Sequence, residues 1–319
     1  MRYILGLIMA SLSAPAMAFD CAQAKTGVEH AICSHQTLKA KDEALNKKYQ
    51  ALLGVSENKQ QIRLSQRKWL AERDASCGGD SVESTRVDCL EEITDRRLRY
   101  FSPLRIQGAD AVLELLPYIG FQKANTKEAR TNVDIELFKF NRPTTKGPQQ
   151  FNARMATIIR EATWFAEPAE EADRYFISMQ ADINDFSPAF ISVTIIDGSG
   201  YPHTAGAQGG VSTVNVNLKE GRDAEYDDVF NAAALDLIKS SCDKQIRDNK
   251  AEMGIEPDRA SYLPDIERKA YDMDAWVLTR QSATLLFAAY ELGAGAEGSY
   301  ECSFSGAIYR SMVSKDVFE

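Results

Sequence analysis

The sequence is poor in the residues from which common catalytic sites are built. It has three histidines in 319 residues, at positions 30, 35 and 203. It contains no His-Glu-x-x-His metal motif, no Gly-x-Ser-x-Gly nucleophile motif and no phosphate-binding P-loop. Nothing singles out a pair among the 46 acidic residues for glycoside cleavage. We therefore expect a protein that acts by binding and not as an enzyme, with no catalytic residue, no cofactor and no metal.

Long apolar stretches are also missing beyond the N-terminus. A bilayer-spanning helix needs about 20 apolar residues, and no later segment provides them, so we expect no transmembrane anchor. The first 18 residues have the pattern of a signal peptide, with Arg2, an apolar run over 4–12 and the small residues Ala16 and Ala18. We expect cleavage near Ala18 and a mature protein that is periplasmic or secreted.

The chain has no excess of basic residues, and its excess of acidic residues lies in one part of the chain. Residues 19–102 carry 14 Lys and Arg against 13 Asp and Glu, a net charge of +1. Residues 103–319 carry 22 against 33, a net charge of −11. Nucleic-acid binding needs basic phosphate contacts, so it is not expected. An acidic surface attracts a basic partner at long range, although it also serves solubility alone.

Cysteine is present in an even number, which in an exported protein indicates disulfides. No two cysteines stand two to four residues apart, as zinc sites require. The four within 19–102 allow three pairings, of which equal Cys-x11-Cys spacings favour two local bonds. The remaining two then pair by elimination, if the two parts of the chain oxidise separately. The expected bonds are Cys21–Cys33, Cys77–Cys89 and Cys242–Cys302.

Residues 19–102 are predicted to form a small helical domain stapled by two disulfides. Apolar residues recur at helical spacing in a short helix over 29–33 and in a longer one that Thr37 would cap. A third helix carries Trp69, and Asp88 would cap the last one. About 80 residues bury only a thin core, so the disulfides would add needed stability.

The rest of the chain is predicted to be an α+β domain over 131–319, after a connector over 103–130 that includes a helix at 109–118. Alternating apolar residues begin at Val133 and indicate strands, whereas stripes at 151–162 and 232–250 indicate helices that pack on an antiparallel sheet. Residues 251–272 are polar and are predicted to be irregular. Further strands are predicted at 175–183, 189–196, 211–218, 276–279 and 284–290.

A glycine-rich stretch over 197–210 lies between two of these strands. It contains five glycines, Pro202 and a tyrosine next to the only histidine beyond residue 35. Glycine-rich backbone between rigid strands can present groups to a partner, so we expect a recognition loop, with a long hairpin connection that binds nothing as the alternative. The residues expected to contact the partner are Tyr201, His203, Thr204, Gly206, Gln208 and Gly209.

The helical part resembles the N-terminal domain of LprI-type lysozyme inhibitors over about residues 20–101. The resemblance rests on Cys21, Glu29-x2-Ile32-Cys33, Leu38-x3-Asp42-x2-Leu45-x3-Tyr49, Gln66-Arg67-x-Trp69-Leu70-x2-Arg73-Asp74-x2-Cys77 and Cys89-Leu90. The segment between Cys77 and Cys89 is longer than is usual in that family. We expect Tyr49, Trp69 and Leu70 to lie in the core, and Arg73 and Asp74 to cap a helix or to pair locally.

The second part resembles the RsiV-like C-terminal domain over about residues 131–312. The resemblance rests on Tyr201-x2-Thr204-Ala205-Gly206-Ala207-x-Gly209, on Asn215-Val216-Asn217-Leu218-x2-Gly221 with Asp228-Val229-Phe230, and on Leu286-Phe287-x2-Tyr290-Glu291-Leu292-x2-Gly295. Two positions depart from that family, because Ala205 replaces a glycine and Gln208 replaces a histidine. The resemblance implies an outer domain that binds lysozyme.

Both resemblances imply the same partner. We therefore expect an exported, non-catalytic protein that binds a basic lysozyme, with the c-type favoured, and inhibits it. The alternative is a non-catalytic cell-envelope interaction module that binds another periplasmic protein or a cell-wall polymer. The sequence gives no indication of the oligomeric state.

Overall fold

The computed structural model divides the chain into two compact units, Met1–Ser102 and Pro103–Glu319. The signal segment predicted over 1–18 lies outside the described residues. The structure describes residues 21–56, 58–78, 83–102, 105–106, 113–120, 130–164, 174–200, 208–314 and 317–318.

The first unit is helical. Helix α1 begins after Thr26, whose hydroxyl accepts a hydrogen bond from the Glu29 N–H, while the Glu29 carboxylate accepts one from the Thr26 N–H. The caps predicted at Thr37 and Asp88 are wrong, because the helical segments begin earlier and enclose both residues. The helices are α1 Gly27–Ser34, α2 Gln36–Val55, α3 Lys59–Cys77 and α4 Glu83–Tyr100, after a short 3₁₀ helix Cys21–Gln23.

Two disulfides and a small apolar cluster hold these helices together. The bonds are Cys21–Cys33 and Cys77–Cys89, the pairing that the equal spacings favour. The first ties the N-terminal segment to α1, and the second ties the end of α3 to α4. The buried cluster contains Val28, Ala31, Ile32, Leu38, Cys77 and Leu90.

The second unit contains a seven-stranded sheet whose strands follow the order of the chain. Neighbouring strands are antiparallel except β3 and β4, which are parallel because helix α5 carries the chain back to the end where β3 began. The helix predicted over 109–118 is wrong where the structure describes it, since Pro117 disfavours a helix, residues 115–120 pair with β3 and residues 113–114 pair with β1. The elements are β1 Arg105–Ile106, β2 Leu113–Gly120, β3 Arg130–Phe140, α5 Lys146–Trp164, β4 Arg174–Phe186, β5 Phe190–Gly200, β6 Gln208–Asn217 and β7 Arg222–Asp223.

The described part of this unit also contains a three-stranded antiparallel sheet and the α-helices α6 to α9. Helix α8 corrects the prediction of an irregular 251–272: Asp258 caps its first turn, and Tyr262, Ile266 and Ala270 are buried at a spacing of four residues. The elements are α6 Tyr226–Val229, α7 Ala234–Glu252, α8 Arg259–Ala270, β8 Trp276–Leu278, β9 Ser282–Phe287, β10 Tyr300–Ser305 and α9 Gly306–Met312. The third disulfide, Cys242–Cys302, joins α7 to β10 with both residues fully buried.

The two faces of the seven-stranded sheet are covered differently. One face buries apolar side chains, such as Val193 and Val214, which lie opposite each other. On the other face, β8 and the 3₁₀ helix Met273–Ala275 cover the part near Asn215, whose side-chain amide donates to the Met273 and Trp276 carbonyls at 2.7 Å each. The fold class is thus confirmed: a disulfide-stapled helical part is followed by a largely antiparallel α+β part.

Candidate partner-binding site

The predicted recognition loop is the end of the β5–β6 hairpin. The strands extend further into the glycine-rich stretch than expected, so that Asp197 lies opposite Gly210, and Gly198 opposite Gly209. The predicted loop over 197–210 is therefore too long, and seven residues, 201–207, join the strands.

The glycines at the start of β6 permit this close pairing. A Cβ atom on Gly209 would lie 3.2 Å from the Asp197 carbonyl oxygen, and one on Gly210 would lie 3.0 Å from Asp197 Oδ1. The carboxylate of Asp197 thus occupies the space beside Gly210. Burial raises the pKa of this carboxyl group, and a hydrogen bond to its own backbone N–H opposes that effect.

Most of the residues predicted to contact a partner fall outside the described residues. These are Tyr201, His203, Thr204 and Gly206. The other two begin β6: Gln208 lies opposite Ser199, and Gly209 is exposed. The recognition role of these six residues stays a prediction.

Sequence reasoning missed an apolar pair at the base of the loop. Ile196 and Val211 lie directly opposite each other on β5 and β6, with 52% and 51% of their surfaces exposed. Their positions in the strand alternation place them on the face that β8 covers further along the sheet. The strand alternation could have revealed this pair, because it places Ile196 and Val211 on the same face of the sheet as Thr194 and on the opposite face from Val193.

In the first unit, Trp69 and Arg73 of the resemblance motif lie in a cluster of arginines and aromatic rings. The guanidinium carbons of Arg73 and Arg97 lie 5.4 Å and 5.7 Å from the ring centre of Trp69. Arg97 also lies 4.7 Å from the ring centre of Tyr100 and 4.5 Å from that of Phe101. Both arginines are buried, and the cluster holds α3 against α4.

The arginines of this cluster are also hydrogen-bonded. Arg73 donates to the Asp74 carboxylate from Nε and Nη2 at 2.9 Å and 2.8 Å, which confirms the predicted local pair. Arg97 donates to Ser65 Oγ at 2.6 Å. The prediction that Tyr49, Trp69 and Leu70 lie in the core is wrong in degree, because all three are only half-buried. The arginines beside Trp69 are more deeply buried.

Within the described ranges, no three His, Cys, Asp or Glu side chains are grouped so that they could hold a metal ion. No helix in the same ranges has the length and apolar character that crossing a membrane requires.

One known protein family matches part of the chain. Residues 20–101 match the family model described as Lysozyme inhibitor LprI. The match spans the disulfide-stapled helical unit that contains the Trp69 cluster. No curated protein matches the chain.

Solved structures resemble the chain only weakly. A member of the DUF3298 family from Bacteroides fragilis is 13% identical with a TM-score of 0.44, and the match covers 64% of this chain and 94% of that one. A DUF3298 family protein from Pseudomonas aeruginosa is 13% identical with a TM-score of 0.42, and the match covers 65% of this chain and 95% of that one. Similarity at this level supports no conclusion about function.

Proposed function

We propose that this protein is exported and binds lysozyme, which it inhibits by occupying the enzyme and not by chemistry. The observation that carries the proposal is the match of residues 20–101 to the lysozyme inhibitor LprI model. The matched residues include the two disulfides and the buried Arg97, so the match covers what holds the helical unit together.

The second unit supplies the contact surface in this proposal. Its resemblance to an RsiV-like lysozyme-binding domain centres on the segment that closes the β5–β6 hairpin. The loop over 201–207 would enter the substrate cleft of the enzyme, where Tyr201 and His203 offer apolar area with a polar tip. The net charge of −11 on residues 103–319 favours a basic lysozyme, such as one of the c-type.

Export is supported by the disulfides. Bonds such as Cys21–Cys33 form and persist in oxidising compartments outside the cytoplasm. We expect the signal segment to be removed after Ala18, leaving Phe19 as the first residue. Mass spectrometry of the protein from the periplasm or medium measures this directly, and a retained Met1 would refute it.

Calorimetric titration of the mature protein with a c-type lysozyme at two salt concentrations tests the proposal. We expect saturable binding that weakens at the higher salt, because the attraction is partly between opposite charges. Hydrolysis of a peptidoglycan suspension by the same lysozyme should fall in proportion to occupancy. A lysozyme of low basic charge serves as the control partner and should bind more weakly.

Three outcomes would count against the proposal. Absence of binding at low salt would refute it. Binding that leaves lysozyme activity intact, together with sedimentation of the protein on insoluble peptidoglycan, would favour an envelope-interaction module. Turnover of peptidoglycan by the protein alone would show that it is an enzyme.

A further inference from the structure

Strand β6 is paired along its full length on one side only. Toward β5, all ten of its residues have partners. On the other side, β7 pairs only with Val216 and Asn217. Over 208–214, β6 therefore borders an edge that has no strand partner in the described part of the chain.

The hydrogen bonds near β7 show which residues face this edge. The Ala224 N–H donates to the Asn215 carbonyl, and the Gly221 N–H donates to the Asn217 carbonyl. In an antiparallel strand, the N–H and C=O of one residue point to the same side, and successive residues alternate. The odd-numbered residues of β6 therefore point away from β5.

Gly209, Val211 and Thr213 accordingly direct their backbone groups toward the edge. Thr213 is buried, whereas Gly209 and Val211 are exposed. The backbone groups of these two residues have no hydrogen-bond partner on that side among the described residues. We call residues 209–213 the β6 edge.

Among the residues that the structure describes, the exposed part of the β6 edge at Gly209 and Val211 lacks the features that usually protect an edge strand from pairing. Natural sheets block such edges with charged residues, proline or a covering element. From Gln208 to Asn217 there is no charged residue and no proline. Two consecutive glycines leave the backbone unshielded, and the exposed Val211 adds an apolar side chain.

The surface at the buried end of the β6 edge is acidic. Thr213 donates to the Met273 carbonyl, and the next residue is Asp274. Asp274 shares Arg154 with Asp223 of β7, at 2.5 Å and 3.6 Å. Two half-exposed carboxylates therefore share one arginine, which leaves an excess of one negative charge and favours a positively charged partner.

We propose that the β6 edge binds an extended segment of the basic lysozyme as an added strand. The inference rests on the proposed function and adds how the partner is held beside the predicted loop. Main-chain hydrogen bonds to Gly209 and Val211 supply the pairing. An apolar residue of the segment packs on Val211 and Ile196, and a lysine or arginine reaches Asp274.

Amide hydrogen exchange of the full mature chain, measured by NMR with and without a c-type lysozyme, tests the inference. In the free protein, the N–H groups of Gly209 and Val211 should exchange fast, and those of Gly210 and Ser212, which face β5, slowly. Saturation with lysozyme should slow Gly209 and Val211 by roughly tenfold or more.

Calorimetry and amide exchange together distinguish failure of the proposed function from failure of the β6-edge inference. If calorimetry shows no binding, the proposed function fails and this inference fails with it. If lysozyme binds but Gly209 and Val211 still exchange fast, only the inference fails.

Substitution at Val211 provides a second test. Val211→Pro removes an N–H that faces the edge and no hydrogen bond to β5, so the fold should persist. We expect lysozyme affinity to fall by roughly tenfold, the value of one hydrogen bond. Val211→Thr keeps the N–H and the β-branched shape, and should change affinity less than about threefold.

Amide exchange and sedimentation of the Val211→Pro variant show how its lysozyme affinity is to be interpreted. Slow exchange at Gly210 and Ser212 in the Val211→Pro variant shows that β6 still pairs with β5. Wild-type affinity in that variant would overturn the inference. Sedimentation that shows a dimer of the free protein, dissociated by Val211→Pro, would also overturn it, because the edge would then bind a second copy.

Discussion

Lys250 and Glu297 form an almost fully buried ion pair in the second unit. Their side chains are 5% and 12% exposed, and Nζ lies 2.5 Å from Oε2. The Tyr300 hydroxyl donates to the same oxygen, and the Ala294 N–H donates to Oε1 at 2.7 Å. These hydrogen bonds, that of Lys250 first, lower the pKa of Glu297 from 4.5 to about 2. The folded protein therefore favours the ionised form of this carboxylate.

Acid should destabilise the second unit through Glu297. Because the folded-state pKa is the lower one, the stabilisation is present above about pH 4.5 and is lost as the pH falls toward about 2. In Glu297→Gln, the free energy of unfolding should fall less steeply between these values. Urea unfolding at several pH values measures both slopes. Glu301→Gln, at an exposed position, should keep the wild-type slope, and equal slopes in all three proteins would contradict the prediction.

Replacing Tyr201 and His203 together by alanine should weaken lysozyme binding by roughly 30-fold, since loss of hot-spot contacts costs about 2 kcal/mol. Titration calorimetry and the peptidoglycan assay measure the effect. Tyr271→Ala is the control, because Tyr271 is an exposed tyrosine on another element. Unchanged inhibition in the double variant would remove the loop from the binding site.

Arg97→Ala should destabilise the helical unit by about 3 kcal/mol, because a buried side chain stacked on Trp69 and Phe101 is lost and Ser65 loses its donor. Arg97→Lys should recover only part of this, since an ammonium lacks the planar stacking surface. Amide exchange of α3 and α4 measures the stability. Arg96→Ala, at an exposed neighbour, should cost less than about 0.5 kcal/mol, and an equal cost would contradict the assignment.

Val193→Ala should lower the free energy of unfolding of the second unit by about 2 kcal/mol, since Val193 is fully buried opposite Val214. Ile196→Thr, three residues along the same strand, should cost less than about 1 kcal/mol because half of that side chain is already exposed. Urea unfolding of both variants measures these two losses in the free energy of unfolding. The reverse ranking would show that the face assignment of β5 is wrong.

Joint replacement of Cys242 and Cys302 by alanine should lower the stability of the second unit by roughly 4 kcal/mol on the chain-entropy model, for a sequence separation of 60. Opening Cys21–Cys33, with a separation of 12, should cost the first unit roughly 3 kcal/mol. Thermal unfolding with amide exchange assigns each loss to its unit. Peptide mapping without reductant verifies the pairing, and a Cys302 bonded to the helical unit would contradict it.

Local patterns in the sequence predict much of this fold. Equal spacings predicted the disulfides of the helical part, and the alternation at Val133 and Ile135 predicted a strand. The errors arose where local and tertiary preferences compete. Residues 113–120 are rich in leucine, which favours a helix, but Pro117 and pairing with β3 select a strand. In α8, the helical spacing of the buried Tyr262 and Ile266 was not recognised, because polar residues lie between them.

The candidate site was less accessible to sequence reasoning. A glycine-rich run predicts a loop, yet Gly198 and Gly209 pair as strand residues because β5 and β6 continue past their apolar parts. The open side of β6 depends on how far β7 reaches. Since β7 is only two residues long and follows a tight turn, no pattern in the sequence marks its end.

The burial of Cys242 and Cys302 constrains how the protein matures. Once α7 and β10 have packed, neither sulfur can be reached by an oxidant, so this bond must form in an open intermediate. A chain that emerges N-terminus first presents Cys242 while its partner, 60 residues later, is still to come. The cysteines of the helical unit are only 12 residues apart within each bond, so their loops can close earlier. Closure in that order would leave Cys242 and Cys302 to pair with each other.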